Sequence, residues 1–575
     1  TLLFVSAPGG IRPESAQQVE ELPAVKEGVD MHYIQYDLIE AELQSTLRRD
    51  TIVLAAISLC LILLGFFSFT KSLRGLGLIG LMVSFNIALT FLAMSALSMR
   101  FTVHMITIPC IITVLSFTDI MHILYHQQIQ RDGARTDREL QDHIIGAVRI
   151  PLLLTSATNI VGFVIFLIFA RNIHLFNFSL AAILGVTFGY LSARLLVIRL
   201  MGKDNLFIKR TDFEGLNRWH SAVAHWVRDK KNTVLPAFLT VSLVLLTLVS
   251  THLTIDGSEA EYTLTGSRLA EGIEILQREF FGAKQAEVFI SVEEGSLWDK
   301  TTLNELEVVE AEIERIFHPL YINSPLVVVK RYHRYLSGGA PGAFLIPPVI
   351  GPDYAARLEQ HKARLGGTGI IDSTATRASL VFGFPAIPLP EARAGYAQLR
   401  QFLDTKQTDR LHFQLSGLQY LSDEATHRFS VRILAGLALS ILFGSLVVML
   451  LLRSLRQGVG LLLVNLFPIF FALGIMLCLG IAITPLTLFL LSILLGICVD
   501  DSVYLLFQDR DATSSPHIVP IFITSFVLSL GFLSLASSSF TWLRPFGWIF
   551  LAGIGLAYVL DIFILPLFLH RKTEP

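Results

Sequence analysis

The chain has 575 residues, 53% of them apolar and only 16% charged, with a formal net charge of −2. Soluble domains carry ~25% charged residues, so this composition excludes a soluble enzyme-like domain and a disordered chain. The lack of basic excess excludes a nucleic-acid binder. What remains is a polytopic α-helical membrane protein.

The four cysteines, Cys60, Cys110, Cys478 and Cys498, all lie in apolar runs, so no disulfide framework is expected in the polar segments. Zinc-type ligand spacing, HExxH and GxxxxGK[ST] are all absent, and no metal, cofactor or nucleotide hydrolysis is expected.

Thr1 opens a polar stretch with no signal-peptide pattern. Within residues 1–50, strand Leu2–Val5, a helix near 14–26 and strand 31–36 read as the C-terminal part of an extracytoplasmic domain. Apolar runs long enough to cross a bilayer follow at 51–69, 75–97, 103–125, 147–170 and 175–200, a five-helix block over 51–200. Residues 201–232 are basic, with Phe213, Leu216, Trp219, Val223 and Trp226 at helical spacing, which predicts an amphipathic linker helix lying in the interface. One span, 233–252, then precedes a long polar segment, 253–430. The runs 431–452, 457–480, 483–507, 517–538 and 546–569 make a second five-helix block over 431–575.

Inside 253–430 the alternation of Val288, Ile290 and Val292 predicts a strand over 286–293. Leu303, Leu306, Val309, Ile313 and Ile316 predict a helix over 299–316. Strand 377–385, helix 390–404 and strand 410–416 complete a split β-α-β, ferredoxin-like plan. Tyr332, His333 and Tyr335 read as surface residues of a loop.

Lys and Arg accumulate in alternate short loops: Lys71, Arg74, Arg131, Lys230, Arg453 and Arg510 share one side, with only Arg100, Arg171 and Arg544 opposite. The positive-inside rule puts the C-terminus in the cytoplasm and the long polar segments outside.

The two blocks repeat one another. Pro151-Leu-Leu-Leu-Thr155-Ser156 with Gly162-Phe163 recurs as Pro520-Ile-Phe-Ile-Thr524-Ser525 with Gly531-Phe532, and Ser72-Leu73-Arg74 as Ser454-Leu455-Arg456. At the latter offset Asp119 falls on Asp501 and His122 on Tyr504. The repeat implies that one more span and half an external domain precede Thr1.

Charges in mid-membrane cost several kcal/mol unless paired or hydrated, which makes them functional candidates. Asp119 and His122 share one helix face, and Gly496-Ile-Cys-Val-Asp500-Asp501-Ser-Val-Tyr504 sets two carboxylates side by side. Such a set must bind protons, bind a cation such as Na⁺, or recruit His122. Thr155, Ser156, Thr524 and Ser525 are candidate hydroxyl relays, Gly496 a helix-packing glycine, and Asn86, Asn159 and Asn465 packing residues. Asp561 and Arg194 are read as lying near the cytoplasmic end, where they snorkel.

Five spans after an external domain, repeated, with Asp in corresponding spans, resembles the resistance–nodulation–division (RND) superfamily. Gly496-x-x-x-Asp500-Asp501 is similar to the GxxxDD signature of its smaller branch, the MMPL-type lipid exporters, hopanoid transporters and Patched-like proteins. The resemblance implies a secondary transporter without enzymatic activity, with Asp119, Asp500 and Asp501 as ion-coupling residues and external porter domains. The expected function is proton-driven export of lipids or other hydrophobic molecules from a bacterial inner membrane. Na⁺ coupling of the same fold, a sterol-sensing-like lipid receptor and a protein-translocation auxiliary are the alternatives. Homo-oligomerisation is left open.

Overall fold

The computed structural model describes residues 36–130, 136–170, 173–201, 214–252, 284–362, 369–452, 454–506 and 518–568, with isolated positions between them. The expected strand Leu2–Val5 and the helix near 14–26 lie outside the described residues, as does Phe213 of the linker. Among the described residues, eleven helices are long and apolar enough to cross a membrane. The chain divides into two compact units: one of residues 266–428 with short additions, and one comprising 40–254 and 429–575 with a further short addition.

The membrane unit opens with α1 (Tyr36–Thr70), α2 (Leu73–Ala96), α3 (Ile108–Gln130, after a short 3₁₀ turn), α4 (Asp137–Ala170) and α5 (Ile173–Ser192). A π turn, Ala193–Val197, carries the last of these on to Leu200. After α6 (Glu214–Asp229) and α7 (Lys231–His252), the second block holds α12 (Leu418–Leu452), α13 (Leu455–Cys478), α14 (Pro485–Leu506), α15 (Ile518–Leu533) and α16 (Arg544–Phe563). Helices α8–α11 belong to the smaller unit.

The repeat holds in detail. Helices α1 and α12 each run 35 residues, and α2 and α13 each run 24. Ser72 and Ser454 prove to be helix N-caps, their hydroxyls accepting from Gly75 N and Gln457 N. Residues 36–50, expected as the tail of the external domain, instead continue α1 without a break, because no Gly or Pro interrupts the chain before Gly65. A bilayer needs only ~20 helical residues, so α1 and α12 both extend well past a membrane's thickness. Asp50 is buried there and accepts from Ser538 Oγ at 3.0 Å and Ser539 Oγ at 2.8 Å, tying the two blocks together.

Of the eleven spans, the two holding α3 and α14 are the most enclosed. Helix α3 packs on α4 and α5 of its own block and on α15 of the other, and α14 packs on α13, α16 and the first block's α4. Each central helix is thus held by both copies.

In the smaller unit, β1 (Lys284–Val292), α8 (Lys300–Phe317), β2 (Tyr321–Asn323), α9 (Pro325–Leu336), α10 (Pro352–His361), β3 (Arg377–Phe384), α11 (Leu389–Thr405) and β4 (Leu411–Ser416) follow in order. The sheet runs β2-β3-β1-β4, antiparallel throughout, with α8 and α11 as the crossovers of a split β-α-β plan. Ala286, Val288, Ile290 and Val292 fill the core beneath Leu303, Leu306, Val309, Ile313 and Phe317. Residues 325–336, read from sequence as a loop, form α9. Ser324 caps it, Pro325 starts it, and Tyr332 is buried against Tyr354 and His361.

One buried ion pair fastens β1 to the start of α12. Lys284 Nζ lies 3.0 Å from Asp423 Oδ2, which also accepts from the Tyr396 hydroxyl at 3.1 Å. Burial, and then the Asp423 charge, push the Tyr396 phenol well above its usual range. Removing one partner of such a pair costs ~3–5 kcal/mol by stranding the other charge. Lys284→Met should therefore lower the hydrogen-exchange protection of β1 and β4 amides by at least ~100-fold, and unchanged protection would count against this network.

Candidate functional site

All ten residues singled out from sequence lie within four helices of the membrane unit: Asp119 and His122 on α3, Thr155 and Ser156 on α4, Gly496, Asp500, Asp501 and Tyr504 on α14, and Thr524 and Ser525 on α15. The three carboxylates do not form one cluster. Adjacent positions on a helix point about 100° apart, so Asp500 and Asp501 face different neighbours.

Asp501 faces α15. It accepts from Ser525 Oγ at 2.6 Å and, more weakly, from Thr524 Oγ1 at 3.4 Å. Ser525 is therefore the main hydroxyl on the carboxylate, because the shorter bond of Thr524 goes back to Ile521 O at 2.9 Å. Thr155, the counterpart of Thr524, makes the same back-bond to Leu152 O.

Asp500 faces α4, where Asn159 Nδ2 donates to both of its oxygens at 3.1 Å. Asn159, read from sequence as packing, is thus the direct partner of a candidate coupling residue. Gly496 explains how it gets there: a Cβ at that position would collide with Asn159 Oδ1. The glycine of the Gly-x-x-x-Asp-Asp stretch makes room for a carboxamide one turn below Asp500.

Asp119 and Asp500 line the same small cavity with Ser116, Thr155, Ser156 and Asn159. Its volume is about 10 Å³, close to what one water molecule needs. Asp119 forms no hydrogen bond or ion pair among the described residues. None of the ion pairs among the described residues involves any of the three carboxylates.

The two repeat-equivalent aromatic residues meet face to face. The His122 and Tyr504 rings stack with centroids 3.4 Å apart and planes 12° from parallel. Equivalent residues that touch mark the axis relating two copies, so the stack puts the local pseudo-two-fold axis between α3 and α14, with Asp119 and Asp501 each one turn back on its own helix.

Two further buried groups stand differently from their sequence reading: Asp561 is singled out there but given a snorkelling role, and His220 is not singled out at all. Asp561 of α16 does not snorkel: it is fully buried, and Ser502 Oγ donates to its Oδ1 at 2.5 Å while bonding Asn465 of α13. His220 of α6 is buried, bonds the Tyr558 hydroxyl and stacks on Phe563. The predicted linker helix is thus anchored by a polar contact to α16. Arg194, by contrast, bonds Tyr190 one turn back on its own helix. The depth of Asp561 in an apolar run was the available signal; His220 had none, being one polar residue on an amphipathic helix.

A second cavity, about 90 Å³, lies on the other side of Asn159. Residues of α4, α12, α13 and α14 line it, mostly Leu, Ile and Phe. Asn159 forms part of the wall of both cavities.

No protein-family model matches the chain, and no curated protein matches it.

The collision between a residue-496 Cβ and Asn159 sets an expectation. Gly496→Ala should destabilise the detergent-solubilised protein by ~1–3 kcal/mol, the usual range for overpacking. Asn159→Ala strips Asp500 of its donor and carries its own cost, so the comparison is a double-mutant cycle: in the Asn159→Ala background the glycine substitution should cost much less in thermal unfolding than it does in the wild type. An equal cost in both backgrounds would show that the glycine serves something else.

Proposed function

We propose that the protein is a proton-driven secondary transporter that moves lipids or other hydrophobic molecules, an exporter of the RND type and its MMPL-like branch. In this reading it sits in the cytoplasmic membrane of a bacterium, with the C-terminus inside and the 253–430 domain outside. The observation that carries the proposal is the placement of Asp119 and Asp500 on one water-sized cavity between apolar helices, without a Lys or Arg ion pair among the described residues.

Carboxylates in such surroundings are held either by hydrogen bonds or by protons. Asp500 and Asp501 have different donors, one on α4 and one on α15, so a rotation or slide of α14 exchanges donors rather than breaking all of them. Protonation removes the charge those donors stabilise, and the balance of contacts on α3 and α14 shifts with it. The His122–Tyr504 contact is flat, its planes 12° from parallel, which suits it to act as the sliding surface. Alternating movement of the two blocks then follows from which side supplies the proton. The outer domain serves as the passage for substrate, and the linker helix α6 as the joint between blocks.

The test is flux. In liposomes of the purified protein with an imposed pH gradient, internal pH should relax faster than in empty vesicles and with no dependence on Na⁺. Asp119→Asn and Asp501→Asn should each cut that flux by ~100-fold or more, the scale at which loss of a positioned proton carrier acts, while leaving the chromatographic profile unchanged. Flux that follows Na⁺, or that survives both substitutions, would refute proton coupling through this site.

A further inference from the structure

The 90 Å³ cavity belongs to the membrane unit and meets the carboxylates through Asn159 on Asp500 and, at one remove, through Asn465 on the Ser502 donor of Asp561. Apart from the Ser440 and Ser445 hydroxyls, its polar lining is engaged by protein. Thr158 bonds Thr155 O, Ser492 bonds Phe489 O, and Asn465 bonds Leu461 O and Ser502. These hydroxyls and the amide are turned to protein partners, so an occupant meets Leu154, Phe163, Phe166, Ile441, Leu461 and Ile493 and few free donors. Phe443 lines the cavity and is also 42% exposed, and its helix α12 exposes Leu439, Leu442 and Leu446 nearby. The mouth therefore opens on the apolar flank of the bundle, the face a bilayer covers.

Size selects among apolar occupants. A cavity of ~150 Å³ takes a single benzene ring, so one of about 90 Å³ is too small for a fused-ring molecule and suits the end of an unbranched chain. We propose that this cavity receives the terminal methylenes of a phospholipid acyl chain, and that Asn159 reports its occupancy to Asp500. The reporting step rests on the transport reading above, while the binding step does not.

The geometry gives Asn159 two places to be. In the structure the carboxamide stands against α14, over the bare backbone of Gly496, and Nδ2 donates to both oxygens of Asp500. The open cavity beside it leaves the side chain room to swing off Asp500, and a chain that fills this space removes that freedom and pins the carboxamide on the carboxylate. Loading of the chain thereby changes whether Asp500 is held as a two-oxygen acceptor, and an apolar ligand acquires a handle on an ionisable group it never touches.

The experiment uses the full chain in vesicles doped with a phospholipid whose acyl chain ends in a photoactivatable diazirine. Adducts are mapped by peptide mass spectrometry, and Asp500 is then probed with a membrane-permeant carbodiimide. Adducts should concentrate on cavity residues such as Phe443 and Leu154. Two variants that fill the space from different helices, Gly162→Leu on α4 and Ser440→Phe on α12, should cut them by at least about tenfold, a modest loss of ~1.4 kcal/mol in affinity. Using two variants guards against one that misfolds, which its gel-filtration profile would show. Carbodiimide labelling of Asp500 should differ severalfold between lipid-loaded and lipid-depleted wild type, and that difference should vanish in Asn159→Leu while the adducts persist.

Adducts spread evenly along Leu439, Leu442 and Leu446 and indifferent to the filling variants would overturn the site. Adducts from a free diazirine fatty acid alone would overturn the commitment to an intact lipid. Cavity adducts with no effect of occupancy on Asp500 would overturn the role of Asn159. If the cavity adducts form in a protein that carries no proton flux, the lipid site stands and the transport reading falls. Flux without adducts removes the lipid site alone.

Discussion

The structure depends on one unfavourable placement, carboxylates in the middle of apolar helices. Solvent does not pay the hydration of Asp119, Asp500 and Asp501 there, so the protein must hold each by a donor or a proton. That requirement accounts for the Thr524 and Ser525 hydroxyls aimed at Asp501, for the carboxamide of Asn159 spread across both oxygens of Asp500, and for the missing side chain at Gly496. It also accounts for the enclosure of α3 and α14, whose windows are the most buried among the spans. Side chains of this kind are tolerated in a bilayer only where other helices cover them.

The duplication supplies the frame and the departures from it supply the asymmetry. The His122–Tyr504 stack lies where equivalent residues of two copies must meet. Around it the second copy carries more carboxylates. Asp500 stands opposite Thr118, which bonds only its own helix at Val114 O. Asp561 and Ser502 add a fourth carboxylate and its donor on the same side. Two copies with identical sites would share any proton equally between them. Unequal donors give the two sides different holds on charge, which a directional cycle needs.

Much of the fold was legible because membrane spans and amphipathic elements announce themselves by composition and period. The expected strands at 286–293, 377–385 and 410–416 fall within two residues of β1, β3 and β4, and the repeat predicted from four short matches reappears as helices of equal length. The carboxylates were legible too, since a charge in an apolar run has no inconspicuous reading. Their partners were not. Asn159 meets Asp500 across 341 residues of sequence and His220 meets Tyr558 across 338, and no local pattern encodes a contact at that separation. Residues 325–336 were misread because three polar aromatics obscured a helix whose buried face is Leu326, Val328, Val329 and Tyr332. The helical start at Tyr36 was missed because polar residues outside the bilayer leave no hydropathy signal, although nothing there breaks a helix.

The central claim is that these three carboxylates exchange protons as the working step, and infrared difference spectroscopy of the reconstituted protein tests it most directly. The carboxyl stretching band, followed through a pH titration, should show a component that disappears when Asp119, Asp500 and Asp501 are all replaced by Asn. Identical titrations from the wild type and the triple variant would mean that the three groups never change protonation, and the account would fail.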